Sequence, residues 1–255
     1  MTLAPVNPAD RLVAAGAYAP PGGLPEVVGA EGVGRIEAVG EGVVGFAPGD
    51  RAIPLSRGNW AAHRLLPAAD LLPVPASLPD AQAAMLRINP ATAARLLARL
   101  RLAPGARLLQ NAPRSSVAGW VRRLAARAGI EVVEEEGEGD AALDAVAGEE
   151  TGRLAGRLRP GGTILVYGHL SGRPCAIPST LLTGGGLIVA GFSLRPAEAA
   201  DPPGFRAALY ADLADLMAEA PEPVAATFAL QEVEQALVTA AGRGRAGRIL
   251  LALDR

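Results

Sequence analysis

The fold turns on RLLQNAPRSSVAGWVRRLAARAGIEVV, residues 107–133. Arg107 to Ala112 reads as a strand, Gly119 to Ala128 as an amphipathic helix, and Ile130 to Val133 as a second strand. The loop between the first two, residues 110–117, runs from strand into helix. There the free backbone N–H groups and the helix dipole make a seat for a diphosphate. Toward the C-terminus, Leu143 to Ala147, Thr163 to Tyr167 and Leu187 to Ala190 follow as short β-rich runs. Apolar strands alternating with helices argue for a parallel sheet covered on both faces.

Upstream the texture differs. Gly and Pro are dense, and in Gly34 to Val39 the residues Ile36 and Ala38 alternate with charged neighbours, the period of a half-buried strand. Pro48-Gly49-Asp50 makes a turn before Arg51 to Leu55, and Pro54 fits only a strand edge or end. Asp80 is placed to cap a helix over Ala81 to Leu86, and Thr92 to Leu100 reads as another. After Pro203 apolar residues recur at helical spacing through Met217, followed by a helix near Glu232 to Ala241 and a strand at Arg248 to Ala252. The fold class is α/β, a β-rich module beside a parallel-sheet module.

Half of the 255 residues are hydrophobic, a fifth are charged and the formal charge is −2, so nothing draws the chain to nucleic acid or to an anionic membrane. Its start shows neither a basic region nor an apolar one, and a cytoplasmic location is expected. One cysteine, Cys175, and two histidines, His63 and His169, are poor material for a metal site, and no bound metal is expected. Every basic residue is Arg, so no lysine acts in any mechanism.

Four stretches, in order along the chain, carry a resemblance. They are Val6-Asn7-Pro8-Ala9-Asp10 with Gly16-Ala17-Tyr18 and Gly29-Ala30-Glu31-Gly32-Val33; Ile88-Asn89-Pro90-Ala91-Thr92-Ala93; Gln110-Asn111-Ala112; and Gly161-Gly162-Thr163 through Tyr167-Gly168 with Gly191-Phe192. Together they resemble the zinc-free medium-chain reductases, most of all the 2-enoyl thioester reductases. The resemblance implies a GroES-like catalytic domain from residues 1–86 and 225–255, with a reduced Rossmann-type domain, residues 87–224, between them. It implies NADP(H)-dependent reduction of an enoyl thioester, with an acyl thioester as small-molecule partner. By analogy the segment Leu187 to Phe192 extends the sheet across a two-fold axis in a homodimer.

On that resemblance Tyr18 falls at the position that supplies a proton as enolate charge develops; read by itself, it is a loop tyrosine packing under the Pro20-Pro21 turn. Asn89 matches the residue whose amide faces the nicotinamide and ribose, although Asn before Pro is also a helix-entry signal. Arg114, Ser115, Ser116 and Val117 form the phosphate loop, with Arg114 standing where the family has Asn and Ala118 where it has Gly. Arg114 can add a charge-assisted contact to phosphate, or fill the space itself. Tyr167, Gly168, Phe192 and Arg248 complete the cofactor candidates. His169 replaces a family Gly and is a second acid–base candidate; His63 beside Trp60 reads as structural.

Three departures weigh on function. Glu134 ends the second strand where dinucleotide folds read the adenosine ribose, and an acid there favours NAD(H) over NADP(H). Fewer than ten residues separate Val133 from Leu143, too few for a crossover helix and strand, so the wall that holds adenine is expected to be absent. Losing about 4 kcal/mol of adenosine contacts would weaken a micromolar cofactor roughly a thousandfold. Family members also carry further strands ahead of the Asn7-Pro8 motif. The competing reading is a scaffold that binds no dinucleotide and serves as a non-redox enzyme through Tyr18 and His169, or as a ligand- or partner-binding protein.

Overall fold

The computed structural model describes residues 1–19, 23, 27–134, 136–202, 204–242, 244 and 246–253. In chain order its elements are β1 (Leu3–Pro5), α1 (Pro8–Ala14), β2 (Gly34–Arg35), β3 (Arg51–Pro54), β4 (Leu71–Pro73), α2 (Asp80–Ala83), α3 (Asn89–Leu100), β5 (Arg107–Gln110), α4 (Ser116–Arg127) and β6 (Glu131–Val133). They continue with β7 (Gly139–Asp144), α5 (Glu149–Ala155), β8 (Leu158–Val166), α6 (Ser179–Gly185), β9 (Ile188–Gly191), α7 (Leu194–Ala199), α8 (Phe205–Glu219), β10 (Val224–Ala229), α9 (Val233–Ala241) and β11 (Arg248–Ala252). Two compact units result, one of Met1–Ile88 with Gly204–Arg255 and one of Asn89–Pro203.

The continuous unit is built on a five-stranded sheet of order β6-β5-β7-β8-β9, every neighbouring pair parallel. Its strands are apolar on both faces, and Leu108, Leu109, Ala142, Leu143, Ile164 and Leu165 are fully buried. In a doubly wound sheet of order 3-2-1-4-5-6, β5 holds the first place and β6 the second, and among the described residues nothing holds the third. Residues 134–138 lead directly from β6 to β7 instead. So short a parallel connection is possible because β6 itself is so short. Val133 and Ala142 flank the same residue, Leu109, so the chain has to cross two strand spacings and descend to Gly139. That gap is roughly 14 Å, which five extended residues span.

The discontinuous unit has two small sheets. In one, β11 lies between β1, antiparallel to it, and β10, parallel to it; in the other, β2, β3 and β4 are antiparallel. Ala4, Val6, Trp60, Ala236, Ile249, Leu251 and Leu253 form a core, into which the Trp60 indole N–H donates to the Pro5 carbonyl at 3.3 Å. The alternating run after Gly34 pairs for only three residues. Ile36 exchanges bonds with Gly49 and Asp50, both 2.8 Å, and the segment beyond it has no strand partner among the described residues.

The second boundary between the compact units lies after residue 203, whereas the domain bounds implied by the resemblance group residues through 224 with the parallel sheet. The reason is polar. The Tyr210 hydroxyl on α8 donates to the Arg87 carbonyl at 3.1 Å, and the Gln82 amide exchanges two 2.9 Å bonds with the Glu222 backbone. Both tie residues 205–222 to the segment before Asn89.

Candidate functional site

In the unit Asn89–Pro203 the candidates gather at the carboxyl ends of the strands. Leaving β5, the chain takes a left-handed turn at Ala112, φ 53°, before Ser115 caps α4 by accepting from the Ala118 N–H at 3.1 Å. This leaves the first N–H groups of a twelve-residue helix facing the turn. Arg114 is exposed on the loop, while Ser115, Ser116 and Val117 are half-buried.

Beneath the turn sits a buried carboxylate that the sequence reading passed over. Asp144, fully buried at the end of β7, accepts from the Asn111 amide at 2.7 Å, the Val146 and Ala147 N–H groups at 2.8 and 2.9 Å, and the Thr151 hydroxyl at 2.6 Å. The Asn111 carbonyl oxygen in turn accepts from the Ala145 N–H at 2.8 Å. The hub fixes the loop after β5 against the turn after β7, and Asn111 in the quoted motif was its one visible signal.

Tyr167 and Gly168 leave β8 beside this hub, their N–H groups donating to the Asp144 carbonyl at 2.9 and 3.3 Å. Gly168 is required by packing, since a Cβ there would lie 2.3 Å from the Ala145 carbonyl oxygen. The Tyr167 hydroxyl is buried with no hydrogen bond of good geometry; burial pushes its pKa up to about 12, the Ser115 side chain partly offsetting this and the Asp144 carboxylate adding to it. His169 is exposed in the following turn, and Phe192, half-buried after β9, donates its N–H to the Val166 carbonyl at 2.8 Å. Asn89 is half-buried as the first residue of α3.

Glu134 is engaged by the protein itself. Its carboxylate accepts from the buried Gln110 amide and pairs with the Arg122 guanidinium, which also donates to the Pro113 carbonyl at 2.9 Å. Arg122, on α4, thus bridges the loop 110–117 and the end of β6. An arginine seven positions after the cap faces the same way as the loop, but nothing in the sequence marked it as a partner of Glu134.

Two candidates belong to the other unit. Tyr18 follows α1 through a helix stop in which the Gly16 N–H donates to the Val13 carbonyl and the Ala17 N–H to the Leu12 carbonyl, at 3.0 and 2.8 Å, with Gly16 left-handed at φ 67°. Tyr18 is 40% exposed; Pro20 and Pro21 lie outside the described residues. Arg248 is not at a strand end of the parallel sheet but within the core of its own unit. It donates to the Asn7 side-chain oxygen at 2.7 Å and lies 3.9 Å from Glu31 and 3.7 Å from Glu222.

That core network is a second feature absent from the sequence reading. The Asn7 amide donates to Glu31 at 3.0 Å, and the Ile88 N–H donates to its other oxygen at 2.7 Å. Burial drives the Glu31 pKa up to about 7, against the pull of Arg248, Asn7, Ile88 and Arg87. Asp10, which caps the Asn7 N–H at 3.1 Å, is raised by burial to about 6, with Arg57 3.8 Å away. The same unit holds a cavity of about 280 Å³ lined by Ile36, Phe46, Leu66 and Leu71, with His63 and Glu37 paired at 3.1 Å on its wall. Among the described residues no three His, Cys, Asp or Glu side chains converge as a metal would need, and no helix is long and apolar enough to cross a membrane.

Residues 1–76 match the alcohol dehydrogenase GroES-like domain. The bovine mitochondrial enoyl-[acyl-carrier-protein] reductase is 33% identical over 216 residues, 68% of this chain and 58% of the relative. The human mitochondrial enzyme of the same name is 30% identical over 281 residues, 93% of this chain and 75% of the relative. The chain belongs to the enoyl-[acyl-carrier-protein] reductase family. Within it, the chain spans little more than half the bovine protein's length. A solved Bacillus thuringiensis structure, assigned provisionally as an NADPH:quinone reductase, superposes with a TM-score of 0.88 at 26% identity, over 99% of this chain and 88% of the other. Family membership and superposition agree with the medium-chain reductase fold and with a GroES-like module beside a Rossmann-type sheet.

Against a nicotinamide dinucleotide, the residues present fit one half. The loop 110–117, the exposed Arg114 and the orphaned Tyr167 hydroxyl suit a phosphate and its ribose. The adenosine half finds no third strand beyond β6 among the described residues, and Glu134 at the end of β6 is paired with Arg122.

Proposed function

We propose that the chain reduces an activated carbon–carbon double bond of the 2-enoyl thioester class, with a reduced nicotinamide nucleotide as hydride source. Loop 110–117 carries this reading. It is a strand-to-helix turn that sets the amino end of α4 at the carboxyl end of a parallel sheet, in a member of the enoyl-[acyl-carrier-protein] reductase family. The relatives' names supply the substrate class, and the NADPH in the Bacillus protein's name favours that nucleotide. The charge of Glu134 favours NADH instead.

When bound, the nicotinamide supplies a hydride to the β-carbon. The N–H groups at the start of α4 hold phosphate, Arg114 adds charge, and the Asn89 amide orients the ring-bearing ribose. Tyr18 donates a hydrogen bond to the thioester enolate as charge develops and then gives the proton that completes reduction at the α-carbon. His169 is the second proton source. Tyr18→Phe is expected to lower turnover of a crotonyl thioester about a hundredfold with nucleotide affinity unchanged. Unchanged turnover would remove Tyr18 from the mechanism.

The lack of a strand beyond β6 among the described residues favours a second reading, a family scaffold that binds no nucleotide and acts as a non-redox enzyme or a binding protein. Calorimetric titration separates the two, since absence of saturable binding of any reduced nicotinamide nucleotide below millimolar concentration would reject the reductase. Assembly as a cytoplasmic homodimer belongs to the same proposal. It is supported by the outer edge of β9, where Ile188 is 56% exposed, and sizing in solution tests it.

A further inference from the structure

We infer that this chain recognises its nicotinamide nucleotide only as far as the phosphate of the nicotinamide ribose, so that the reduced mononucleotide binds as well as either dinucleotide. The inference rests on the proposed reduction and concerns the form of its cofactor. Three observations carry it.

The first is topological. A dinucleotide's adenosine half lies over the carboxyl ends of the strands on one side of the sheet, first, second and third. Here that side ends at β6, a strand of three residues. Only residues 134–138 separate it from β7 on the other side of β5, and among the described residues no further strand follows it on its own side.

The second is chemical. Among the described residues the carboxylate at the end of β6 is that of Glu134, and it is held by Gln110 and by the Arg122 guanidinium. Because Arg122 also donates to the Pro113 carbonyl at 2.9 Å, it spans the loop and the strand end that an adenosine ribose would have to bridge. Both donors reach the same oxygen, Oε1, so a ribose hydroxyl arriving at Glu134 would meet a carboxylate whose charge Arg122 already balances, and would gain less than at an unpaired one.

The third is the contrast with the other half. Arg114 is exposed beside the start of α4 with no ion pair among the described residues, and the buried Tyr167 hydroxyl, beside Ser115, has no hydrogen bond of good geometry. A buried hydroxyl left without a partner costs free energy that a ligand's phosphate or ribose oxygen would recover. Arg114 therefore remains available on the phosphate side, while on the adenosine side Glu134 is already paired with Arg122.

Calorimetric titration of the full chain with NADPH, NADH and reduced nicotinamide mononucleotide tests this, with 2′,5′-ADP, which carries only the adenosine half, as competitor. The three reduced nucleotides are expected to bind with dissociation constants within about threefold of one another, a difference under about 0.7 kcal/mol. The expected result with 2′,5′-ADP is no displacement. Binding of either dinucleotide more than about thirtyfold tighter than the mononucleotide, or displacement by micromolar 2′,5′-ADP, would overturn the inference and leave the reductase standing. Failure of all three to bind would overturn both.

Discussion

Glu31 is the residue through which pH acts most directly on this chain. In the unfolded chain it ionises near its ordinary value of 4.5, whereas in the folded unit burial holds the proton to about 7. The folded state therefore binds more protons between those values. Its contribution to stability is full below pH 4.5, is lost as pH rises to about 7, and is flat beyond. Asp10 acts with the same sign from 3.8 to about 6. The Glu31 shift corresponds to about 3 kcal/mol. Urea midpoints compared between the wild type and Glu31→Gln should show the wild type losing ground to the variant as pH rises through this window. A gap between the two that stays constant would contradict the assignment. Arg248 opposes the shift, so Arg248→Met leaves the carboxylate without its main counter-charge and is expected to destabilise the chain by about 3 kcal/mol, readable in the same titration.

At the scale of elements, the strand ends after β5, β7 and β8 are locked by the Asp144 hub. Asp144→Ala leaves the Asn111 amide, two N–H groups and the Thr151 hydroxyl without their acceptor, and a loss of more than about 3 kcal/mol is expected in thermal unfolding. The neighbouring Ala147 is left-handed at φ 62° while donating to that carboxylate, so Ala147→Gly should stabilise the chain by up to about 1 kcal/mol. A lower melting temperature would refute that account. Most of these elements were legible in the sequence. The βαβ pattern of residues 107–133 and the shortened connection after Val133 follow from periodicity and length, which local residues determine. The β7 strand starts at Gly139, earlier than the apolar run suggests, because Asp140 is made acceptable there by the Arg107 N–H at 2.8 Å and by Arg159 at 2.7 Å. The Asn7–Glu31–Arg248 network was not legible, since its members are far apart along the chain and meet only once β1 and β11 pair.

At the scale of the whole molecule, periodicity identified α8 as a helix but not which core its apolar face enters. Only tertiary bonds such as Tyr210 to Arg87 decide it. The two units differ in how far they can stand apart from the rest of the sequence. The segment 89–203 contains all five strands of its sheet, and when expressed alone it is expected to give a cooperative melt by circular dichroism. The segment 1–88 lacks β10 and β11, two of the three strands of one of its sheets, and alone it is expected to show none.

The central place of β11 also has a temporal meaning. A nascent chain emerges from the ribosome one end first, and the strand that joins β1 to β10 lies beyond the entire parallel sheet. During synthesis Leu3–Pro5 must therefore wait, unpaired on that edge, until more than two hundred further residues have been added and the inserted unit has had time to collapse. Birth order thus lets the parallel sheet assemble before the sheet of β1, β11 and β10, and leaves the amino-terminal strand the longest in need of protection.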